Sequence, residues 1–149
     1  MIRLETSKRT GIDNFQLGEV SVYERNWTKE ISKRFPNVTQ RTDMSSVYNC
    51  HGLTFASRRT RIIDPRGIQH ILDDDKWIEL EMEKALPGDI VIYYSDEGEP
   101  NHSGIVLEIN SLGVPIICSK WGSAGEYTHL LTDIWSCYGP QKKFYRCRL

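Results

Sequence analysis

Residues 47–55, VYNCHGLTF, place a cysteine and a histidine side by side, directly before a glycine. From Cys50 to about Arg59 the sequence lacks proline and ends in basic residues, which favour a helix C-terminus. The stretch therefore predicts a helix that begins at Cys50. The unpaired N–H groups at such an N-terminus stabilise an anion, so we expect the pKa of the Cys50 thiol to be lowered there.

The rest of the chain has the composition of one globular domain. It has 149 residues, of which 39% are hydrophobic and 26% are charged, and this excludes a disordered chain. The net charge of -1 provides no basic excess, so we expect neither nucleic acid nor a membrane as a partner. Residues 1–11 lack the apolar core of a signal peptide, which predicts synthesis in the cytoplasm and leaves leaderless export open.

Helical patterns come before strand patterns along the chain. An apolar residue recurs at every fourth position from Tyr23 to Phe35, which predicts a core-packing helix that Pro36 ends. A short helix is expected in residues 66–75, and the NSLG turn at residues 110–113 predicts a hairpin. The predicted strands are residues 90–94, 103–109, 114–121, 126–135 and 142–149. This order predicts an α+β fold with an antiparallel sheet, in a single domain of residues 1–149.

His102 is the best candidate for a base that activates Cys50. It follows a loop that contains glycine and proline and directly precedes a predicted strand, so a rigid sheet would hold its ring. His51 is a poor candidate for this role, because adjacent helical side chains point about 100° apart. The sequence therefore predicts a Cys50–His102 dyad.

A third polar group should orient the imidazole of such a dyad. If the two strands of the hairpin pair across NSLG, the residue opposite His102 falls near Ser119 or Lys120. Ser119 is favoured because a lysine would compete as a cation, and His129 or Glu126 from the next segment could serve instead. Near the dyad, Gly52 would allow a substrate carbonyl to approach closely.

The cysteines and histidines show no metal-binding spacing. The four cysteines form no CxxC pair, and the four histidines form no HxxxH or HExxH pair. A zinc site built from Cys50 or His51 with distant ligands is only weakly indicated. We therefore expect no metal and no cofactor. The cysteines are Cys50, Cys118, Cys137 and Cys147.

The order of these motifs resembles that of the NlpC-type cell-wall endopeptidases and the CHAP amidases, which are small papain-like cysteine hydrolases. The similar segments lie within residues 45–122 and read NCHGLTF, LPGDIVIYY, HSGIVLE and IICSKWG. The chain also resembles small bacterial proteins that share the NCHG, HSG and SKWG arrangement.

The resemblance implies a papain-like fold with N-terminal helices, Cys50 as the nucleophile and His102 as the base. It places Tyr48 beside the oxyanion site. Oxyanion or substrate-binding candidates are Tyr48, His51, Gly52 and Trp121, although Trp121 could equally cap the core. The chain departs from the family pattern at His51, where a small hydroxyl residue is usual, and at the third position, where serine or lysine is unusual.

Three functions follow as alternatives. The first is a cysteine hydrolase that cleaves an amide or isopeptide bond in a peptidoglycan peptide or a protein. The second is a glutamine deamidase or transglutaminase-like toxin or effector, for which a dedicated inhibitor or immunity protein is an expected partner. The third is a papain-like binding module whose catalytic site has decayed.

Overall fold

The computed structural model describes residues 1–148 and contains one seven-stranded antiparallel sheet with helices on both faces. The strand order is β1-β6-β5-β4-β3-β7-β2. The helices are α1 (Val22–Arg34), α2 (Cys50–Phe55) and α3 (Pro65–Asp74). The strands are β1 (Thr39–Gln40), β2 (Trp77–Leu80), β3 (Ile90–Tyr94), β4 (Pro100–Ile109), β5 (Pro115–Lys120), β6 (Glu126–Leu130) and β7 (Gln141–Cys147). The predicted α+β class with an antiparallel sheet is confirmed.

The predicted hairpin is present in β4 and β5. The two strands pair antiparallel, with Ile109 opposite Pro115 and Ile105 opposite Cys118. Alternation along this register then decides which side chains share a face of the sheet.

The two faces of the sheet have different covers. On β4, Ser103 and Ile105 contact α2 or the residues that flank it, whereas His102 points to the other side, where it meets Tyr93 of β3. We call the first side the α2 face and the second the α1 face. The α2 face carries Ser103, Ile105, Cys118, Lys120 and Glu126, and the α1 face carries Tyr93, His102, Val106, Ile117, Ser119 and His129.

Two predicted helices differ in detail from the observed ones. In α1, Ile31 is buried, but Trp27 is 41% exposed and Tyr23 is 79% exposed, so the expectation that the whole apolar stripe packs in the core is wrong. The helix α2 stops at Phe55 rather than Arg59, because Ser57 and Arg58 adopt positive φ angles that break helical geometry. No helix within residues 1–148 has the length and apolar character needed to cross a bilayer.

Residues 131–138, which we call the covering segment, follow a path that the strand prediction for residues 126–135 missed. The strand β6 ends at Leu130, and the chain then crosses the α1 face. The carbonyl of Leu131 accepts a hydrogen bond from the Tyr93 hydroxyl (2.6 Å), and Trp135 stacks on Trp27 of α1. The segment therefore closes one side of the sheet. The last predicted strand is β7, and Leu149 lies outside the described residues.

Candidate active site

Asn49 caps the N-terminus of α2. Sequence reasoning missed this residue. Its side-chain oxygen accepts hydrogen bonds from the backbone N–H groups of Gly52 (2.9 Å) and Ile62 (3.1 Å), while its amide nitrogen donates to the Ile62 carbonyl (2.8 Å). Asparagine is a favoured N-cap residue, so its place directly before the predicted helix was the available signal. Because Asn49 is buried and both polar atoms of its side chain are hydrogen-bonded, it fixes the position of Cys50.

Gly52 is required by the fold itself. A Cβ atom at this position would lie 1.9 Å from the backbone oxygen of Thr60. The space left by the missing side chain is therefore filled by the chain's own carbonyl, and the expectation that a substrate carbonyl approaches there is wrong.

The Cys50 thiol lies in a buried site that disfavours its charge. The residue is 7% exposed, and burial raises the pKa of the thiol to about 11. The backbone amides of Ser103 and His51 and the Arg61 guanidinium act in the opposite direction, but their combined effect is smaller. The predicted lowering of the pKa is therefore wrong, because desolvation outweighs the groups that favour the thiolate.

His102 is fully buried, and neither of its ring nitrogens has a hydrogen-bond partner. Its ring stacks flat on the Tyr138 ring, with 3.8 Å between the ring centroids and 2° between the planes. Burial lowers the pKa of His102 well below its usual value, and His129 and His51 add to the effect. His102 and Cys50 are therefore not hydrogen-bonded to each other, and the predicted dyad is not formed in this structure.

Ser119 does not orient His102, because its hydroxyl is bonded elsewhere. It lies 2.7 Å from Nε2 of His129 and accepts from the Trp121 indole N–H (3.0 Å). The His129 Nδ1–H donates to the Leu130 carbonyl (2.8 Å), so a neutral His129 accepts from Ser119. This assignment agrees with burial, which lowers the pKa of His129 to about 4.

The other candidates for the third position lie on the α2 face. Glu126 accepts from the Tyr48 hydroxyl and from Nε (2.6 Å) and Nη2 (3.1 Å) of Arg58. Lys120 bonds to backbone carbonyls. Since neither nitrogen of His102 has a partner, the expected hydrogen bond from Ser119, Lys120, Glu126 or His129 to His102 is absent.

His51 connects α2 to β4 and does not line an open site. Its Nδ1 lies 2.8 Å from the Ser103 hydroxyl, and its Nε2 donates to the Pro100 carbonyl (2.9 Å). Burial lowers the pKa of His51 to about 4, so the ring is neutral at pH 7. The Tyr48 hydroxyl is also engaged within the fold, because it donates a hydrogen bond to Glu126.

A cleft of about 320 Å³ opens between α1 and the covering segment. Its aromatic walls include Trp27, Trp121, Trp135 and Tyr138. Trp121 is 4% exposed and packs in the core, so the core alternative predicted for it is confirmed. Its role in substrate binding stays a prediction. The Tyr138 wall is the same ring that covers His102, and the cleft therefore ends next to the buried imidazole.

The four cysteines are free thiols, with Cys50 and Cys118 buried and Cys137 and Cys147 exposed. Within residues 1–148, no group of three or more His, Cys, Asp or Glu side chains is arranged to hold a metal ion.

Comparison with known proteins leaves the geometry as the only guide to function. No family model matches the chain, and the comparisons with curated proteins and with solved structures find no similar protein.

Proposed function

We propose that the chain is a papain-like cysteine hydrolase of amide or isopeptide bonds in a closed state, with Cys50 as the nucleophile and His102 as the base. The observation that carries this proposal is the His102 imidazole, which is fully buried and has no partner at either nitrogen. His102 directly precedes Ser103 in the chain. The backbone amide of Ser103 lies close enough to Cys50 to favour the thiolate. A buried polar group without a partner costs about 1–3 kcal/mol, and a catalytic role is one explanation for such a group.

The reaction would begin with transfer of the Cys50 proton to a ring nitrogen of His102. The sulfur then attacks the substrate carbonyl, and the backbone amides that face the thiol hold the oxyanion. The imidazolium gives its proton to the leaving amine as the C–N bond breaks. Water hydrolyses the resulting thioester, which returns the thiol and releases a carboxylic acid.

The proposed reaction requires the covering segment to open before chemistry. Tyr138 occupies one face of the His102 ring, and the thiol is almost inaccessible. The aromatic cleft beside Tyr138 leads a substrate to this point, and a peptide from peptidoglycan or a protein would fit such walls. Displacement of Tyr138 would expose the His102 ring, and the Cys50 thiol would then have to come within hydrogen-bond reach of it, because the two groups are not bonded in this structure.

A decayed binding module is the second candidate, favoured by the raised thiol pKa and the unformed dyad. Alkylation separates the two, because only a catalytic thiol is activated. We expect iodoacetamide to modify Cys50 at least about tenfold faster at pH 7 than Cys118, the matched buried thiol, in a background with Cys137→Ser and Cys147→Ser. Equal rates for the two buried thiols would reject the hydrolase and leave the binding module.

Substrate digestion completes the test. Peptidoglycan and candidate proteins would be incubated with the wild type and with Cys50→Ala, and the products would be read by mass spectrometry. Hydrolysis releases fragments only with the wild type. A gain of about one mass unit without cleavage would indicate glutamine deamidation at the same site.

A further inference from the structure

Arg61 uses only one part of its guanidinium group within the fold. Its Nη1 atom donates to the Ser46 carbonyl (3.3 Å) and to the Ser123 hydroxyl (3.3 Å). Its Nε atom is buried without a hydrogen-bond partner, and Nη2 has no partner within residues 1–148 and is not fully buried. Nε and Nη2 share one edge of the planar group, and this edge can bind a carboxylate through two parallel hydrogen bonds.

The Arg61 cation also lacks a carboxylate partner. Within residues 1–148, no carboxylate oxygen lies within 4.0 Å of an Arg61 nitrogen. Its guanidinium carbon lies 5.9 Å from the centroid of the Phe15 ring, so its nearest charge-stabilising contact is aromatic. Arginine stays charged at pH 7, and a partly buried charge without a counter-ion is costly. The environment of Arg61 therefore favours the binding of an anion.

The neighbours of Arg61 add an unpartnered hydroxyl and a second basic side chain. Ser46, whose carbonyl accepts from Arg61, is 2% exposed, and its hydroxyl has no hydrogen-bond partner. Lys120 donates to the carbonyls of the two residues that directly precede Ser46 and Ser123, at 2.6 Å in each case. The two chain segments that Arg61 joins are therefore held by two basic side chains.

The cleft between α1 and the covering segment gives a ligand a route to Arg61. Ser123 and Glu24 line this cleft, and Ser123 accepts a hydrogen bond from Arg61, so the guanidinium lies directly behind the cleft wall. The Ser123 hydroxyl lowers the pKa of Glu24, which is therefore ionised at pH 7. Because Glu24 repels negative charge, the cleft favours an anion with a single charge over phosphate.

We infer that the Nε–Nη2 edge of Arg61 binds a carboxylate group of a ligand that occupies this cleft. The inference deepens the proposed function and rests on it in one respect, namely that this ligand is the substrate. Ile62 follows Arg61 and is hydrogen-bonded to Asn49, the residue directly before Cys50. The substrate would therefore be a peptide with a carboxylate close to the scissile amide.

Binding of a carboxylate and of its neutral amide tests the inference without a known substrate. N-acetylphenylalanine and N-acetylphenylalaninamide differ only in this group, and their ring suits an aromatic cleft. Their dissociation constants would be measured by NMR from the indole N–H resonances of Trp27, Trp121 and Trp135. We expect the wild type to bind the carboxylate at least about tenfold more tightly than the amide, because only the carboxylate accepts two charge-assisted hydrogen bonds.

The ratio of the two dissociation constants identifies the role of Arg61, because a general loss of stability weakens both ligands alike. In Arg61→Met, which keeps a long side chain without charge, the ratio should fall to about one. In Glu24→Gln, which removes the repelling charge and leaves Arg61 intact, the ratio should rise about threefold. Arg59→Met is the matched control at an exposed position and should keep the ratio of the wild type.

Equal affinities of the wild type for both ligands, or no binding of either, would overturn the inference. A ratio in Arg61→Met equal to that of the wild type would also overturn it, and if this variant does not fold, an unchanged ratio in Glu24→Gln would do so. Inorganic phosphate that competes more strongly than acetate would overturn the assignment to a carboxylate. The proposed function fails separately, since slow alkylation of Cys50 leaves this ratio unaffected and would make the carboxylate part of a bound ligand that is not cleaved.

Discussion

Lys120 and His102 are both fully buried basic side chains on adjacent strands, yet they have opposite environments. Lys120, on the α2 face, donates three hydrogen bonds, whereas His102, on the α1 face, makes none. Burial of a polar group without partners is costly, and hydrogen bonds offset this cost at Lys120 but not at His102. The difference separates Lys120, whose hydrogen bonds lie within the fold, from His102, whose ring nitrogens have no hydrogen-bond partner.

Acidification tests the buried histidines on both faces of the sheet. We expect it to have the largest effect on the free energy of unfolding. Burial lowers the pKa of His51, on the α2 face, and of His129, on the α1 face, from 6.5 to about 4. As the pH falls below 6.5, these histidines therefore bind protons in the unfolded chain before they do so in the folded chain. The contribution of each histidine to stability is therefore complete above pH 6.5 and is lost as the pH falls through 4, by about 3 kcal/mol for each histidine.

Urea unfolding at pH 7, 6, 5 and 4 measures this loss. A His129→Gln variant keeps a donor and an acceptor but does not titrate, so its free energy of unfolding should depend less steeply on pH. A stability that is constant between pH 6.5 and 4 would contradict the neutral buried histidines.

The hydrogen bonds of Lys120 to backbone carbonyls predict a large loss of stability when the lysine is replaced. We expect Lys120→Met to lower the free energy of unfolding by about 2 kcal/mol, because the backbone carbonyls of Ser45, Tyr48 and Gly122 lose their donor. Chemical denaturation measures it, with the exposed Lys29→Met as the matched control, which should change stability by less than about 0.5 kcal/mol. Equal stabilities of the two variants would show that the hydrogen bonds of Lys120 do not support the fold.

The stack on His102 predicts that Tyr138 limits access to the site. We expect Tyr138→Ala to increase the rate of Cys50 alkylation about tenfold, because the covering segment loses its contact with the imidazole. The exposed Tyr23→Ala is the control and should leave the rate unchanged. An unaltered rate in Tyr138→Ala would mean that another part of the chain closes the site.

Replacement of the unpaired His102 imidazole should have the smallest effect on stability. Unlike most core mutations, it should increase the stability. We expect His102→Phe to raise the free energy of unfolding by about 1 kcal/mol, because two unpaired buried nitrogens are removed while a ring remains against Tyr138. Thermal melting checks it, with the exposed His70→Phe as control. A destabilised His102→Phe would show that the imidazole has a structural partner, such as a buried water.

Much of the fold could be predicted from local patterns. Runs such as residues 90–94 and the NSLG turn have strong strand and hairpin signals, and both appear in the structure. The path of residues 131–138 could not be predicted in this way. It depends on contacts of Trp135 and Tyr138 with residues far away in the chain, and local propensity does not encode such contacts.

The sequence by itself determined the elements of the site and their order, because residue types specify helix starts, strands and turns locally. It placed Cys50 at a helix start, and the structure agrees. It placed His102 directly before a strand, whereas the observed strand begins at Pro100 and includes His102. Only the tertiary structure decided the environments of these groups. Strand alternation turned His102 away from α2, and burial raised the pKa of Cys50 instead of lowering it. A pKa depends on solvent and neighbours, and both are set only when the chain has packed.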